Sequence, residues 1–249
     1  SACLVGSEMC IRDRVLWTTL ATLILTVCGV NFMGPNTIGD FPPTAYYLIS
    51  SIASFLSIVL PFSFFLFFGK RKLSDTVLVE KNGVLNSVLL VFAGLAVSVL
   101  MNIPANLISQ LLEGAGLNGD ANTADLLALT PVQALTMFVS VVLVAPVTEE
   151  FAFRSVTTAV MRRWGDWPAV IFSALIFGMA HYSIQSLPVV LTAGFVMALL
   201  YVRTRNIWVN IFVHMLNNLL ATLPIALEGL VGADAANIAS NLLTYIVYG

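Results

Sequence analysis

Met137-Phe138-Val139-Ser140-Val141-Val142-Leu143-Val144-Ala145-Pro146-Val147 runs directly into Thr148-Glu149-Glu150-Phe151-Ala152-Phe153-Arg154. The first part is as apolar as lipid, and the second places Glu149, Glu150 and Arg154 within six positions. A charged side chain at the centre of a membrane helix costs roughly 2.5–3.5 kcal/mol on insertion scales. A segment that served only as an anchor would not carry that cost three times. This stretch therefore indicates both a membrane helix and a polar site inside it.

The rest of the chain agrees on the membrane. Of 249 residues, 59% are hydrophobic and 10% charged, and the mean hydropathy is +0.94. Soluble domains are nearer a quarter charged. The expected fold class is all-α: a polytopic integral membrane helical bundle of about eight transmembrane helices. The net charge of −2 says nothing about nucleic acid, and no basic patch argues for it, so no nucleic-acid partner is expected.

Residues 4–14, Leu-Val-Gly-Ser-Glu-Met-Cys-Ile-Arg-Asp-Arg, resemble the conceptual translation of a sequencing adapter. Residues 1–14 are thus expected to be an assembly scar or disordered tail outside the fold. Without them Cys28 stands alone in an apolar run, so no disulfide or cysteine-ligated metal site can form.

Apolar runs near the twenty residues of a membrane span occur at about 15–33, 44–68, 84–101, 131–162, 168–182, 188–202 and 207–227. An eighth, at 235–248, is short and is expected to be clipped. Asn102-Ile103-Pro104 closes the third run, and Leu107, Ile108, Leu111 and Leu112 beyond it have the spacing of a separate helix lying at the interface. Lys70, Arg71, Lys72 and Lys81 fall between runs two and three, Arg162 and Arg163 between four and five, and Arg203 and Arg205 between six and seven. If each run crosses once, these connections share one side, which the positive-inside rule makes cytoplasmic. Small residues four apart, Ala174/Gly178 and Gly194/Ala198, allow close helix contact.

Few ionisable residues remain inside the expected spans: Glu149, Glu150 and Arg154 on the fourth, His181 on the fifth and His214 on the seventh. Glu150 and Arg154 are i,i+4 with the acid first, the favourable order for a pair, and together they suit a structural clamp. Glu149 points about 100° away and has no local cation. Such a carboxylate suits a general base or acid, or equally a proton relay in a transporter. A single buried histidine is most simply a packed core residue, but here both histidines lie where a carboxylate needs partners. His214 and Asn218 share a helix face, with Asn210 and Asn217 nearby. Glu149, His181 and His214 are the ligand types of a catalytic zinc with an open position, and Asn218 could orient a ligand or donate to an oxyanion. No His-Glu-x-x-His helix, Gly-x-Gly-Asp motif or Ser–His pair is present.

Glu149-Glu150-x-x-x-Arg154, Phe177-x-x-x-His181 and His214-x-x-x-Asn218, in that order, resemble the three motifs of the CPBP (Abi) family, the CAAX-protease and bacteriocin-processing membrane enzymes. The likeness covers about residues 131–220. It implies an intramembrane endopeptidase, metallo- or glutamate-dependent, opening toward the cytoplasm. In that family the residues matching Glu149 and His181 activate water, those matching His214 and Asn218 stabilise the oxyanion or help hold a metal, and Glu150, Arg154 and Phe177 support them. Zinc held by Glu149, His181 and His214, and a metal-free route, are both open. The implied organisation is 1–14 scar or tail, 15–130 N-terminal membrane helices with an interfacial loop, 131–227 catalytic core, and 228–249 last helix. Implied partners are membrane lipid and a peptide or protein substrate that carries a lipid or none, in CAAX-type processing, bacteriocin maturation or self-immunity. The competing reading is a non-enzymatic transporter or scaffold using the same buried Glu and His residues as a relay. A peptidase needs them around one point, whereas a relay strings them along the membrane normal.

Overall fold

The computed structural model describes residues 43–69, 72–117, 130–181 and 183–232, with 234, 237, 238 and 241. The expected tail 1–14 and run 15–33 lie outside the described residues, as does nearly all of 235–248. The described elements are α1 (Pro43–Phe68), α2 (Leu73–Thr76), α3 (Val84–Gly114), α4 (Pro131–Trp164), α5 (Asp166–Met179), α6 (Leu187–Thr204) and α7 (Ile207–Val231). Among the described residues the single extended pairing is an isolated bridge between Val79 and Asn206. The molecule is a multi-pass helical membrane protein. In the described residues α3, α4, α6 and the 207–224 part of α7 are long and apolar enough to cross a bilayer. α5, at 14 residues, is about 21 Å long and falls short of a hydrocarbon core of roughly 30 Å.

One boundary differs in kind from the expectation. Pro104 does not end the third helix, and no separate interfacial helix follows: α3 runs on for 31 residues. Proline removes one N–H and crowds the preceding turn, but in a membrane helix a break in the ladder is tolerated. The helix ends instead at Gly116, whose φ of 81° lets Leu117 N–H donate to Leu112 O and Gly116 N–H to Glu113 O, a Schellman cap. α4 starts as its sequence suggests. Thr130 and Gln133 form a reciprocal capping box around Pro131 at the first helical position.

Large apolar side chains such as Leu85, Leu89, Phe92 and Leu100 on α3 stay exposed, as a lipid-facing surface requires. The interior is built where α1, α4, α5, α6 and α7 meet. Phe62, Phe65 and Leu66 of α1, Phe153 and Val156 of α4, Phe177 of α5, Met197 of α6 and Val213 of α7 form one buried cluster. The small residues of α5 and α6 meet each other. A Cβ on Gly194 would lie 2.8 Å from Phe177 Cδ1 and 3.4 Å from Ala174 Cα, and one on Gly178 2.6 Å from Leu191 Cδ2. These glycines allow the close approach that seats Phe177 in the centre.

Two of the charged connections come together. The segment from α2 to α3 lies against the α6–α7 turn. Glu80 N–H donates to Arg205 O and Ile207 N–H to Leu78 O, Asn206 Nδ2 donates to Glu80 O, and Arg205 pairs with Glu80. Tyr201 Oη ties both, donating to Thr76 O and accepting from Leu78 N–H.

Candidate active site

α4 is one rod of 34 residues, but its hydrogen-bond ladder is not uniform. Val139–Val144 and Glu150–Thr157 are π-helical. Such wide turns carry i→i+5 bonds and recur at functional sites. Their carbonyls serve side chains of other helices as well. Asn218 Nδ2 of α7 donates to Val141 O at 2.9 Å, and Ser173 Oγ of α5 donates to Phe153 O at 2.7 Å. Pro146, which cannot donate to the ladder, lies two residues beyond the first π segment. It is the one local signal the sequence offered for this irregularity.

The second π segment carries the charges. Glu150 and Arg154 are wholly buried, with Arg154 Nε 3.3 Å from Glu150 Oε2, so the expected pair forms. The guanidinium also lies over the Phe177 ring, 4.2 Å from its centroid, a geometry in which the ring face attracts the cation. Glu150 does more than hold Arg154. Its Oε1 accepts from His214 Nδ1 at 2.9 Å, and its Oε2 accepts from Asn210 Nδ2 at 3.2 Å. With Nδ1 committed to Glu150, the other ring nitrogen of His214 faces Glu149, Nε2 to Oε2 at 3.6 Å. His214 is 3% exposed and thus sits between two carboxylates, one buried and one whose side chain is 16% exposed. This arrangement fixes the ring orientation.

His181 is placed differently from the expectation. α5 ends at Met179, so His181 lies in the turn after the helix and is exposed, not inside a span. The turn is closed by Ala180 N–H on Ile176 O and His181 N–H on Gly178 O. Its Nδ1 donates to Phe177 O at 2.9 Å, which leaves the Nε2 lone pair free to accept a proton. His181 and His214 share one neighbour, the Phe177 ring, at centroid distances of 4.7 and 5.7 Å. The ring is itself held edge-on by Phe153 and, beyond it, by Phe62.

Asn210 is the residue whose role sequence reasoning missed. It is fully buried, donating to Met197 O at 2.6 Å as well as to Glu150. The signal was present, since Asn210, His214 and Asn218 recur every four residues on one face of α7. What it lacked was the partner, because nothing local says that Glu150, 60 residues away, lies opposite. Among the described residues no three His, Cys, Asp or Glu side chains converge as metal ligands would. Glu149 Oε2 and His214 Nε2 lie 3.6 Å apart, and His181 meets the same Phe177 ring as His214 from the turn after α5.

Residues 131–220 match the family described as Type II CAAX prenyl endopeptidase Rce1-like. The chain is also similar to the "Putative membrane peptidase YdiL" of Bacillus subtilis (strain 168), 31% identical over 140 residues, which is 56% of this chain and 57% of that protein. The chain therefore spans little more than half the length of that relative. No solved structure matches it.

Proposed function

From the match of residues 131–220 to the Type II CAAX prenyl endopeptidase Rce1-like family, we propose that this multi-pass membrane protein is an endopeptidase acting near the cytoplasmic face. The observation that carries the reading is the placement of the His214 ring between Glu149 and Glu150, with Asn210 donating to Glu150. A transporter relay is expected to spread such groups along the membrane normal. The match to a family described by its activity on CAAX ends makes a prenylated CAAX peptide the first substrate to try. An unlipidated bacteriocin-type precursor is the comparison.

Glu149, assisted by the free Nε2 of His181, takes a proton from water as the water oxygen attacks the scissile carbonyl carbon. The carbonyl π electrons move to oxygen. His214, oriented by Glu150, donates through Nε2 to that oxyanion. The spare N–H of Asn218, whose other N–H is held by Val141 O, is the second donor. Collapse of the tetrahedral intermediate breaks the C–N bond, and Glu149 returns its proton to the leaving nitrogen. The products are a carboxylic acid and an amine, and passage of the acid's proton to the amine leaves a carboxylate and an ammonium.

The test is cleavage of a fluorogenic farnesylated CAAX peptide by the purified chain in proteoliposomes. Glu149→Gln and His181→Ala should each lose cleavage while inserting normally. Full activity in both sinks the reading. In the metal-free form argued here, a chelator leaves the rate unchanged and the active protein holds less than one zinc per chain. Loss on chelation with recovery on zinc would instead restore the zinc set.

A further inference from the structure

An apolar groove of about 680 Å³ lies between the first halves of α3 and α7, away from Glu149 and the histidines. Its walls are Val88, Val91 and Phe92 of α3 and Val209 and Phe212 of α7, and its mouth is formed by Lys81, Asn82 and Trp208. Both helices are long and apolar enough to cross the bilayer, so the groove is apolar along its length and polar at one end. That end is cytoplasmic by the positive-inside rule.

The chemistry of the mouth selects among membrane occupants. The connection before α3 and the α6–α7 turn carry Lys72, Lys81, Arg203 and Arg205 against Asp75 and Glu80. The Glu80 carboxylate is paired with Arg205, while Lys81 is exposed and forms no hydrogen bond or ion pair among the described residues. The mouth is preformed, since Asn82 Nδ2 is held by Thr204 O and Asn206 Nδ2 by Glu80 O. The first turn of α3, whose N-cap Gly83 supplies no side-chain acceptor, adds backbone donors beside Lys81. Trp208, 53% exposed, is the residue type that settles at headgroup level. We propose that this groove binds a phospholipid with an anionic headgroup, its phosphate at Lys81 and one acyl chain between α3 and α7. The charge complementarity and the apolar length make one ligand of these two halves. Basic pockets between membrane helices on this side are suited to anionic headgroups.

The test uses the full chain in phosphatidylcholine vesicles carrying either brominated phosphatidylglycerol or brominated phosphatidylcholine. Quenching assigned to Trp208 is the difference between the protein and its Trp208→Phe variant. Half-saturation is expected at about fivefold lower mole fraction of the phosphatidylglycerol, the scale of one basic contact at a membrane surface. Lys81→Gln should erase that preference, and Val88→Phe should weaken quenching by both lipids, with helix content by circular dichroism unchanged. Equal half-saturation by the two lipids, or a preference that survives in Lys81→Gln, would reduce the groove to ordinary lipid contact. Absence of quenching by either lipid would mean that another segment of the chain covers it. Each of these three results overturns the proposal, and none depends on peptidase activity.

Discussion

The two histidines belong to two differently made regions. At the α4–α7 interface His214 is buried between Glu149 and Glu150, and Glu150 is held in turn by Arg154 and Asn210. At the turn after α5 His181 is exposed, and its ring is held by one hydrogen bond to Phe177 O and by the edge of the Phe177 ring. The first region is an over-determined polar network in which each member neutralises or hydrogen-bonds another. The second has one hydrogen bond, one ring contact and an open face. The contrast shows how a membrane protein can separate the stabilisation of charge from its use. Glu150 and Arg154 pair inside, and the second nitrogen of the His181 ring is left on an exposed turn.

The contrast breaks most readily at its extremes. The largest effect is expected in activity. Glu149→Gln and His181→Ala should each lower kcat by roughly 10²–10⁴-fold, the range of general acid–base assistance. His181→Ala should leave unfolding in detergent unchanged within about 0.5 kcal/mol, as exposed sites do. If it destabilises by several times that, His181 is as structural as His214 and the contrast fails.

Next comes stability of the buried network. Glu150→Ala leaves Arg154 buried and unpaired, which should cost about 3–5 kcal/mol in chemical denaturation. Replacing both partners, Glu150→Gln with Arg154→Met, should recover much of the loss while activity stays down, because His214 has lost its orienting carboxylate. Recovery of activity in the double variant would show that Glu150 serves only as the counter-ion.

Asn210→Ala should cost less, about 1–3 kcal/mol for an unsatisfied buried acceptor, with kcat falling more than KM rises. The smallest effect is expected far from the site. The Glu80–Arg205 pair has side chains 55% and 41% exposed. Glu80→Gln should therefore change stability by no more than about 1 kcal/mol, and less at high salt.

Much of this was legible in the linear chain. Val84–Met101 and Pro131–Arg162 could be recognised because hydropathy over twenty residues is a local property. Glu150 and Arg154 could be paired because one helical turn separates them. Pro104 misled, since in water a proline marks an end, while in lipid the backbone has no better partner than its own helix. His181 misled for a related reason: the apolar run continues past Met179, and only the chain's turn toward α6 decides where the helix stops. The π segments of α4 were not legible, because their carbonyls answer to Ser173 and Asn218 on other helices.

By itself the sequence determined that this is a helical membrane protein and that Glu150, Arg154 and His214 belong to its interior. Those follow from composition, periodicity and the cost of charge in lipid, none of which depends on distant contacts. Only the tertiary structure decided that His214 stands between Glu149 and Glu150, that Asn210 completes the set, and that His181 reaches the same ring from an open turn. These meetings depend on how α4, α5 and α7 pack. That packing is set by side-chain volumes such as Gly194 against Phe177, brought together from separate helices.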